Sequence, residues 1–438
     1  MLIKSISIKK LFGLYSYEIE LEKDQNIFLM TGPNGYGKTT ILTIINNLYL
    51  KNISYFQQLN FESIDIDFTN NQRLEIKRES VKEKNNTEKI DIENLPKRKV
   101  EFIWYDKKKE VGRFPTTRKK VKNDHDDIID FIDYFSNSDN INRERVINSY
   151  YRNRNVKRQI NLNEKKFRSS QISMLLESFS SSFIEAQRIF TISEKRRTQD
   201  IDDESKDDFL TIHLIADELK KIMEQSYFNY LKVAQKRDSQ FLEVLLSSEN
   251  KYSEEEYKKK ADRMEKILKE LTDFGLISKT EIKPYSEEHT NILTSYIDEL
   301  ESKIKFYTLF LKKLRLFMEL IKKKHFANKS IELSVQSGLR IKSPNGEFIN
   351  VQKLSSGEQN EIIMLYNFIF KVNDDTILLV DEPENSLHIV WQQEFIDDIQ
   401  KIAELKNLQV IIATHSPQII GERWSVCYDL YENNLENA

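Results

Sequence analysis

Apolar and polar residues alternate along the first stretch of the chain, through Ile3, Ile6 and Ile8, as they do in a half-buried strand. A second strand, Asn26 to Met30, runs into the glycine-rich segment Gly32–Gly37. Helical spacing follows from Thr39 to Leu50, with Ile41, Leu42, Ile45 and Leu48 on one face. Between 61 and 113 the pattern returns to short alternating runs, such as Ile64 to Phe68 and Lys99 to Trp104, separated by polar turns. These predict an antiparallel sheet. Ile184 to Ile192 is a further strand candidate.

The pattern then changes period. From about 205 to 326 it is almost wholly helical. A helix is expected over roughly 208–246. Another starts at Ser253, where Glu256 three residues later makes a capping box, and ends near Gly275. Its apolar positions are Tyr257, Ala261, Met264, Leu268 and Leu271. Leu293, Ile297, Leu300, Ile304, Tyr307, Leu311, Leu314, Met318 and Ile321 alternate steps of four and three, a heptad seam without Gly or Pro. One uninterrupted helix here would reach roughly 50 Å. These helices predict a bundle or short coiled coil, an insert more structural than ligand-binding. Strand alternation resumes at Ile331, Leu333 and Val335 and again at Leu339 and Ile341. A helix, the apolar strand Ile377 to Val380, another helix and the strand Val410 to Ala413 complete an α/β core split by a helical insert.

Composition narrows the partners. The 438 residues carry a net charge of −3, so no global basic field draws the chain to nucleic acid. Any DNA contact must be local. The densest basic stretch holds Arg143, Arg145, Arg152, Arg154, Lys157, Arg158, Lys165, Lys166 and Arg168, with Tyr150 and Tyr151 able to stack on bases. A solvated face or a surface for an acidic partner accounts for it as well. A single cysteine, Cys427, gives no internal disulfide and fits a reducing cytoplasm. The N-terminus enters a strand rather than a signal peptide, and no apolar run approaches the roughly 20 residues of a membrane span.

Four segments carry chemistry. Gly32-Pro33-Asn34-Gly35-Tyr36-Gly37-Lys38-Thr39 fits G-x-x-x-x-G-K-[ST], between a strand and a helix, with Thr40 next in line. Such a loop curls backbone N–H groups around phosphates, its lysine reaches the β- and γ-phosphates, and its threonine ligates Mg²⁺. Ile377 to Val380 ends in Asp381-Glu382, placing one acid to hold Mg²⁺ and one to polarise an attacking water. Leu354-Ser355-Ser356-Gly357-Glu358-Gln359 opens a helix, which makes it either a second phosphate cradle or an ordinary cap. Ala413-Thr414-His415-Ser416-Pro417 follows an apolar strand, so His415 could donate to a γ-phosphate.

The order of these segments resembles the ABC ATPase superfamily: Walker A at Gly32–Thr39, signature at Leu354–Gln359, Walker B at Leu378–Glu382 and switch histidine at His415. The resemblance implies an α/β P-loop head that binds ATP and Mg²⁺ in a head-to-tail sandwich of two copies. Lys38 of one copy and Ser355, Ser356, Gly357 and Glu358 of the other would close on one ATP, with Glu382, His415 and Lys38 in the chemistry. Thr39 and Asp381 would hold the metal, together with Gln187 in the Q-loop position, for which Gln57 or Gln58 is the alternative. Glu384-Asn385-Ser386 would be the D-loop that crosses the dimer seam.

The long separation of Lys38 from Leu354 and the Ser-Ser-Gly-Glu-Gln signature are similar to the SMC/RecF and overcoming-lysogenization-defect branches. Expected boundaries are 1–200 for the N-terminal part of the head with an antiparallel β subdomain, 201–328 for the helical insert and 329–438 for the rest of the head. Overcoming-lysogenization-defect nucleases continue past the switch histidine into a TOPRIM domain, and the six His form no HNH pattern. The expectation is therefore an ATPase acting through a separate effector. Stand-alone ATPases of this build resemble the subunits of Septu-type or PARIS-type anti-phage systems, which pair with an HNH or a TOPRIM nuclease. That implies a homo-oligomer, a nuclease partner, a phage-encoded trigger and a cytoplasmic location. The alternative is a RecF/SMC-like repair ATPase that clamps DNA.

Overall fold

The structure is a computed structural model describing residues 1–21, 26–78, 99–116, 164–185, 204–247, 251–324, 326 and 329–435. Its strands are β1 (Ile3–Leu11), β2 (Tyr15–Glu20), β3 (Ile27–Thr31), β4 (Ser63–Phe68), β5 (Gln72–Arg78), β6 (Val100–Asp106) and β7 (Lys109–Pro115). They continue with β8 (Ser181–Glu185), β9 (Ser330–Ser334), β10 (Gly338–Lys342), β11 (Phe348–Ile349), β12 (Ile377–Asp381), β13 (Gln409–Ala413) and β14 (Cys427–Asp429). Its helices are α1 (Lys38–Tyr49), α2 (Ile53–Gln58), α3 (Gln171–Leu175), α4 (Glu204–Ser247) and α5 (Glu254–Asp273). After them come α6 (Thr290–Ile304), α7 (Thr308–Lys323), α8 (Ser356–Tyr366), α9 (Ile389–Lys406) and α10 (Pro417–Ile420). The chain divides into two compact units.

The first unit joins Met1–Glu185, Asn373–Pro383 and Lys406–Ala438. It holds two sheets. Strands β2-β1-β4-β5-β6-β7 form an antiparallel sheet in which Ile6 faces Ile19 on one side and Ile66 on the other. Its alternating residues Ile3, Ile6, Ile8, Ile64, Ile66, Leu74, Ile76 and Phe102 are buried, so the period of two seen in the sequence marks the core face. Strands β14-β3-β13-β12-β8 form a sheet that is parallel throughout. All five residues of β12 are buried, as expected of a strand covered on both faces. Helix α1 buries Ile41, Leu42, Ile44, Ile45 and Leu48 in the same core.

The second unit joins Ala186–Val372 and Glu384–Leu405. The predicted capping box is present: Ser253 Oγ accepts from the Glu256 N–H, and the Glu256 carboxylate accepts from the Ser253 N–H. The heptad seam does not make one uninterrupted helix. It folds as α6 and α7 joined by a 3₁₀ turn at Lys305–Tyr307. Tyr307 is fully buried there, with its hydroxyl donating to Leu276 O at 3.0 Å and its ring 5.2 Å from Tyr230. The tightened turn keeps this large side chain in the seam while its hydroxyl finds a partner. Antiparallel strands β11-β10-β9 lie in this unit, and α4 packs on β10. A Cβ at Gly338, where φ is +65°, would stand 2.2 Å from Ala216 O, so only glycine permits that approach.

The α/β class, the antiparallel sheet and the inserted helices expected from the sequence are all present. The compact units divide the chain differently from boundaries at 200 and 328: the segment at Ser355–Gln359 belongs with the helices, while Asp381 and His415 belong with the glycine-rich loop. Of the strand candidate Ile184–Ile192, β8 covers Ser181–Glu185 and the remainder lies outside the described residues.

Candidate functional site

The first unit gathers its chemistry at the carboxyl ends of β3, β13 and β12. Register places Met30, Ala413 and Asp381 side by side across the parallel sheet. The segments leaving those strands are therefore neighbours, as ligand-binding segments are in open α/β sheets. After β3 the chain turns through Gly32, Gly35 and Gly37, all at positive φ. Gly37 is the N-cap of α1 in the left-handed region, and a Cβ there would meet Leu11 Cδ2 at 2.8 Å. No side chain caps the helix start, which leaves that end suited to an anion. Lys38 is buried, and its ammonium donates to Gly32 O at 2.9 Å and Pro33 O at 3.3 Å. These contacts hold a cation against the loop.

Thr39 and Asp381 lie far apart in sequence and meet in space: Thr39 Oγ1 donates to Asp381 Oδ1 at 3.2 Å. A hydroxyl and a carboxylate side by side are hard oxygen donors of the kind Mg²⁺ takes, with phosphates and waters completing its octahedron. Among the described residues no cluster of His, Cys, Asp and Glu makes an all-protein metal cage.

Glu382 follows Asp381 with φ of +46°, uncommon for a residue bearing a Cβ. Its N–H donates to Ala413 O at 2.8 Å, which pins the strained turn. Its carboxylate Oε1 stands 3.6 Å from His415 Nε2, each side chain about one-third exposed. Thr414, fully buried, donates its N–H to Met30 O and so sets His415 beside the loop strand. Ser416 then caps α10 by accepting from Ile419 N–H. Loop, Asp-Glu pair and histidine thus converge as the sequence order suggests.

The second unit carries the other candidate segment. Ser355 caps α8 and forms a capping box with Glu358. The Glu358 carboxylate takes the Ser355 N–H at 2.7 Å and the Lys329 ammonium at 2.8 Å, and its own N–H goes to Ser355 Oγ. Burial raises the Glu358 pKa, but Lys329 and Ser355 outweigh it and hold the carboxyl below its usual range. Glu358 is thus turned inward as the cap, while Ser355 and Ser356 are exposed and Gly357 is half-buried. Both readings of this segment, cap and cradle, fit one geometry: the cap orients the turn and the small residues face out. Glu384-Asn385-Ser386 lies in a 3₁₀ turn directly before α9.

Gln187 lies outside the described residues, as do Arg143, Arg145, Tyr150, Tyr151, Arg152, Arg154, Lys157 and Arg158. Of the alternatives on α2, Gln57 is buried and Gln58 exposed. Lys165, Lys166 and Arg168 are exposed around the buried Phe167. Sequence reasoning passed over an aromatic brace on the loop. Tyr17 donates its hydroxyl to Tyr36 O at 2.8 Å, and the Tyr36 ring lies 4.9 Å from Tyr15 and 5.6 Å from Tyr431. The Tyr-Ser-Tyr alternation of β2 was the available signal, because both rings had to share one face.

A glycine-rich loop at a helix start, a threonine–aspartate pair and a glutamate beside a histidine define a P-loop ATPase. A model of the AAA ATPase domain family matches residues 1–420, and the chain belongs to that family. It is an ATPase. Among solved structures, the chain is similar to an SMC head bound to the C-terminal winged-helix domain of ScpA, at 12% identity and a TM-score of 0.33. It is also similar to an SMC head domain from Thermotoga maritima, at 10% identity and a TM-score of 0.31. Each alignment covers 96% of this chain and 91% of the other. No curated protein matches. No helix among the described residues is long and apolar enough to cross a membrane.

Proposed function

We propose that the chain is an ABC-type ATPase whose working site is composite, completed by a second copy. The observation that carries this is the partition of the motifs. Gly32–Thr39, Asp381, Glu382 and His415 meet in one unit, while an outward-facing Ser356-Gly357 turn at a helix start belongs to the other. A nucleotide already cradled by Lys38, Thr39, Thr40 and the loop N–H groups of residues 32–37 leaves a second cradle to serve another copy. Thr39 and Asp381, with Gln187 as a further ligand, would hold Mg²⁺, which would neutralise phosphate charge. Glu382 polarises the attacking water, and His415 donates to the γ-phosphate. Ser355 and Gly357 shape the trans cradle, and Glu358 acts through its cap.

The test mixes two inactive variants. Lys38→Ala loses nucleotide binding, and Ser356→Arg blocks the trans cradle. In freely exchanging dimers half the molecules pair unlike chains, and each such pair has one intact site, so about a quarter of wild-type turnover returns. No recovery in an exchanging mixture rejects the composite site.

In the cell we place this ATPase in a cytoplasmic anti-phage defence complex, where a homo-oligomer restrains or releases a TOPRIM or HNH nuclease in response to a phage product. That role rests on the resemblance to Septu-type and PARIS-type ATPases. The second reading, an ATP-dependent DNA clamp, is favoured by exposed Lys165, Lys166 and Arg168. DNA affinity that falls steeply between low and moderate salt supports the clamp. Affinity flat with salt rejects it.

A further inference from the structure

A charge cluster buried in the second unit has no part in the chemistry above. Lys324, at the end of α7, is 4% exposed as a residue. Its ammonium lies 2.5 Å from Asp398 Oδ2 and 3.3 Å from Glu394 Oε2, both on α9. It lies 3.1 Å from Glu361 Oε1 on α8, a side chain with no exposure at all. Lys323 reaches the rim, 3.3 Å from Asp398 and 3.7 Å from Glu394. The carboxylates of Glu361, Glu394 and Asp398 thus outnumber the two ammonium groups by one. Glu361 Oε1 and Asp398 Oδ2 face the Lys324 ammonium, while Glu361 Oε2 finds no hydrogen-bond donor among the described residues. A buried polar group left in that state is costly, which makes the position of the one central cation matter.

The three helices that meet at Lys324 are not equivalent. Helix α8 begins at Ser356-Gly357, and α9 follows Glu384-Asn385-Ser386. Those are the two segments that the composite-site reading offers to a second copy. Helix α7 is the last helix of the insert. At its start, α9 also backs α8: Trp391 lies 3.8 Å from the place of a Gly357 Cβ, and the Phe326 ring lies tilted 6.1 Å from Trp391.

We propose that Lys324 is a positioning residue for ATP hydrolysis, tying the Ser356-Gly357 turn and the Glu384–Ser386 turn to the inserted helices so that they move as one. The proposal rests on the composite-site reading. Displacing the insert then displaces both trans segments, and a misplacement of about 1 Å can cost about a hundredfold in rate. Glu361 is the adjustable link. Burial, with smaller contributions from Asp398 and Glu394, raises its pKa to about 7 against the opposing Lys324. Ionised, it grips Lys324; protonated, it lets go.

The experiment measures ATP turnover of the full chain for wild type, Lys324→Met, Lys324→Arg and Glu361→Gln, from about pH 6 to pH 8. Lys324→Met is expected to lower kcat about tenfold or more with KM within about twofold, and Lys324→Arg to restore most of it. Glu361→Gln is expected to trail wild type severalfold at about pH 8 and to converge with it at about pH 6, where the wild-type carboxyl is itself protonated. A folded Lys324→Met with wild-type kcat overturns the proposal. So do superimposable profiles for wild type and Glu361→Gln, an arm that stands even if Lys324→Met does not fold. Ser356→Arg, assayed alongside, separates the two failures. If it too turns over normally, the composite site fails. If it alone is dead, only the role of Lys324 fails.

Discussion

The two units hold their key residues by different means. In the first, neighbouring parallel strands set the geometry: Asp381 meets Thr39, and backbone bonds from Glu382 to Ala413 and from Thr414 to Met30 bring Glu382 beside His415. In the second, α8 is set by side chains, through the Ser355–Glu358 cap, Lys329 and the buried Lys324 cluster. A site built on a sheet is stiff by construction. A turn oriented by buried charges and caps can be moved at smaller cost, which suits the proposed engagement of a second copy.

The sharpest way to break this contrast is Glu382→Gln. It removes the carboxylate without disturbing the backbone bond that fixes the turn. Turnover should fall by ~10²–10⁴ while ATP binding and the melting temperature stay near wild type. A fall in binding, or turnover within about tenfold of wild type, would take the water-polarising role away from Glu382.

Next in size is Gly338→Ala, which acts on the second unit alone. The added methyl meets Ala216 O and must also adopt a φ of +65°. A loss of about 2–4 kcal/mol is expected in denaturant unfolding, from a clash and left-handed strain together. If the units unfold separately, only the transition of the second unit should shift. A single transition that shifts as a whole would mean that they melt as one.

The first unit was largely legible in the sequence because its determinants are local. The spacing in Gly32–Thr39, the run Ile377–Val380 and the alternation around Ile64 each announce one element, and a parallel sheet then leaves few ways to join them. The meeting of Thr39 with Asp381 followed from motif order. The second unit was legible in its helices, its Ser253 capping box and its strands around Ile331 and Leu339, but not in the side-chain contacts that fix them. A heptad count sees the apolar seam of α6 and α7 but not the hydroxyl of Tyr307 reaching Leu276 O, which goes with the 3₁₀ turn. Lys324, Glu361 and Asp398 each sit in charged neighbourhoods of the sequence and look solvated. Only folding reveals that three distant helices bury them together.

That hidden cluster gives a pH test of the contrast. The folded pKa of Glu361 stands above its ordinary value, so the folded protein binds this proton more tightly than the unfolded chain. Stability from this group is full below about pH 4.5 and is lost as pH rises to about 7, on the order of 3 kcal/mol in total. Glu361→Gln removes the dependence. The difference in unfolding free energy between variant and wild type should therefore move in favour of the variant across that window and stay flat above it. Comparing the variant with wild type at each pH cancels any constant cost of the buried amide. No change across the window would place the proton elsewhere in the cluster.

The smallest expected effect separates a cap that only stabilises from a cap that also serves the site. Ser253 on α5 and Ser355 on α8 form the same capping box, each serine accepting from the N–H three residues on and each glutamate returning the favour. The two differ in setting. Glu256 is exposed, whereas Glu358 is buried and also holds Lys329. Replacing either serine by alanine should cost about 1 kcal/mol of stability. Ser253→Ala should leave ATP turnover untouched. Ser355→Ala should lower it severalfold at temperatures where the protein is fully folded, because Ser356 and Gly357 are oriented by that cap. Equal losses of stability with equal, unchanged turnover would leave the start of α8 as a helix end and nothing more, and would return the whole of the chemistry to the first unit.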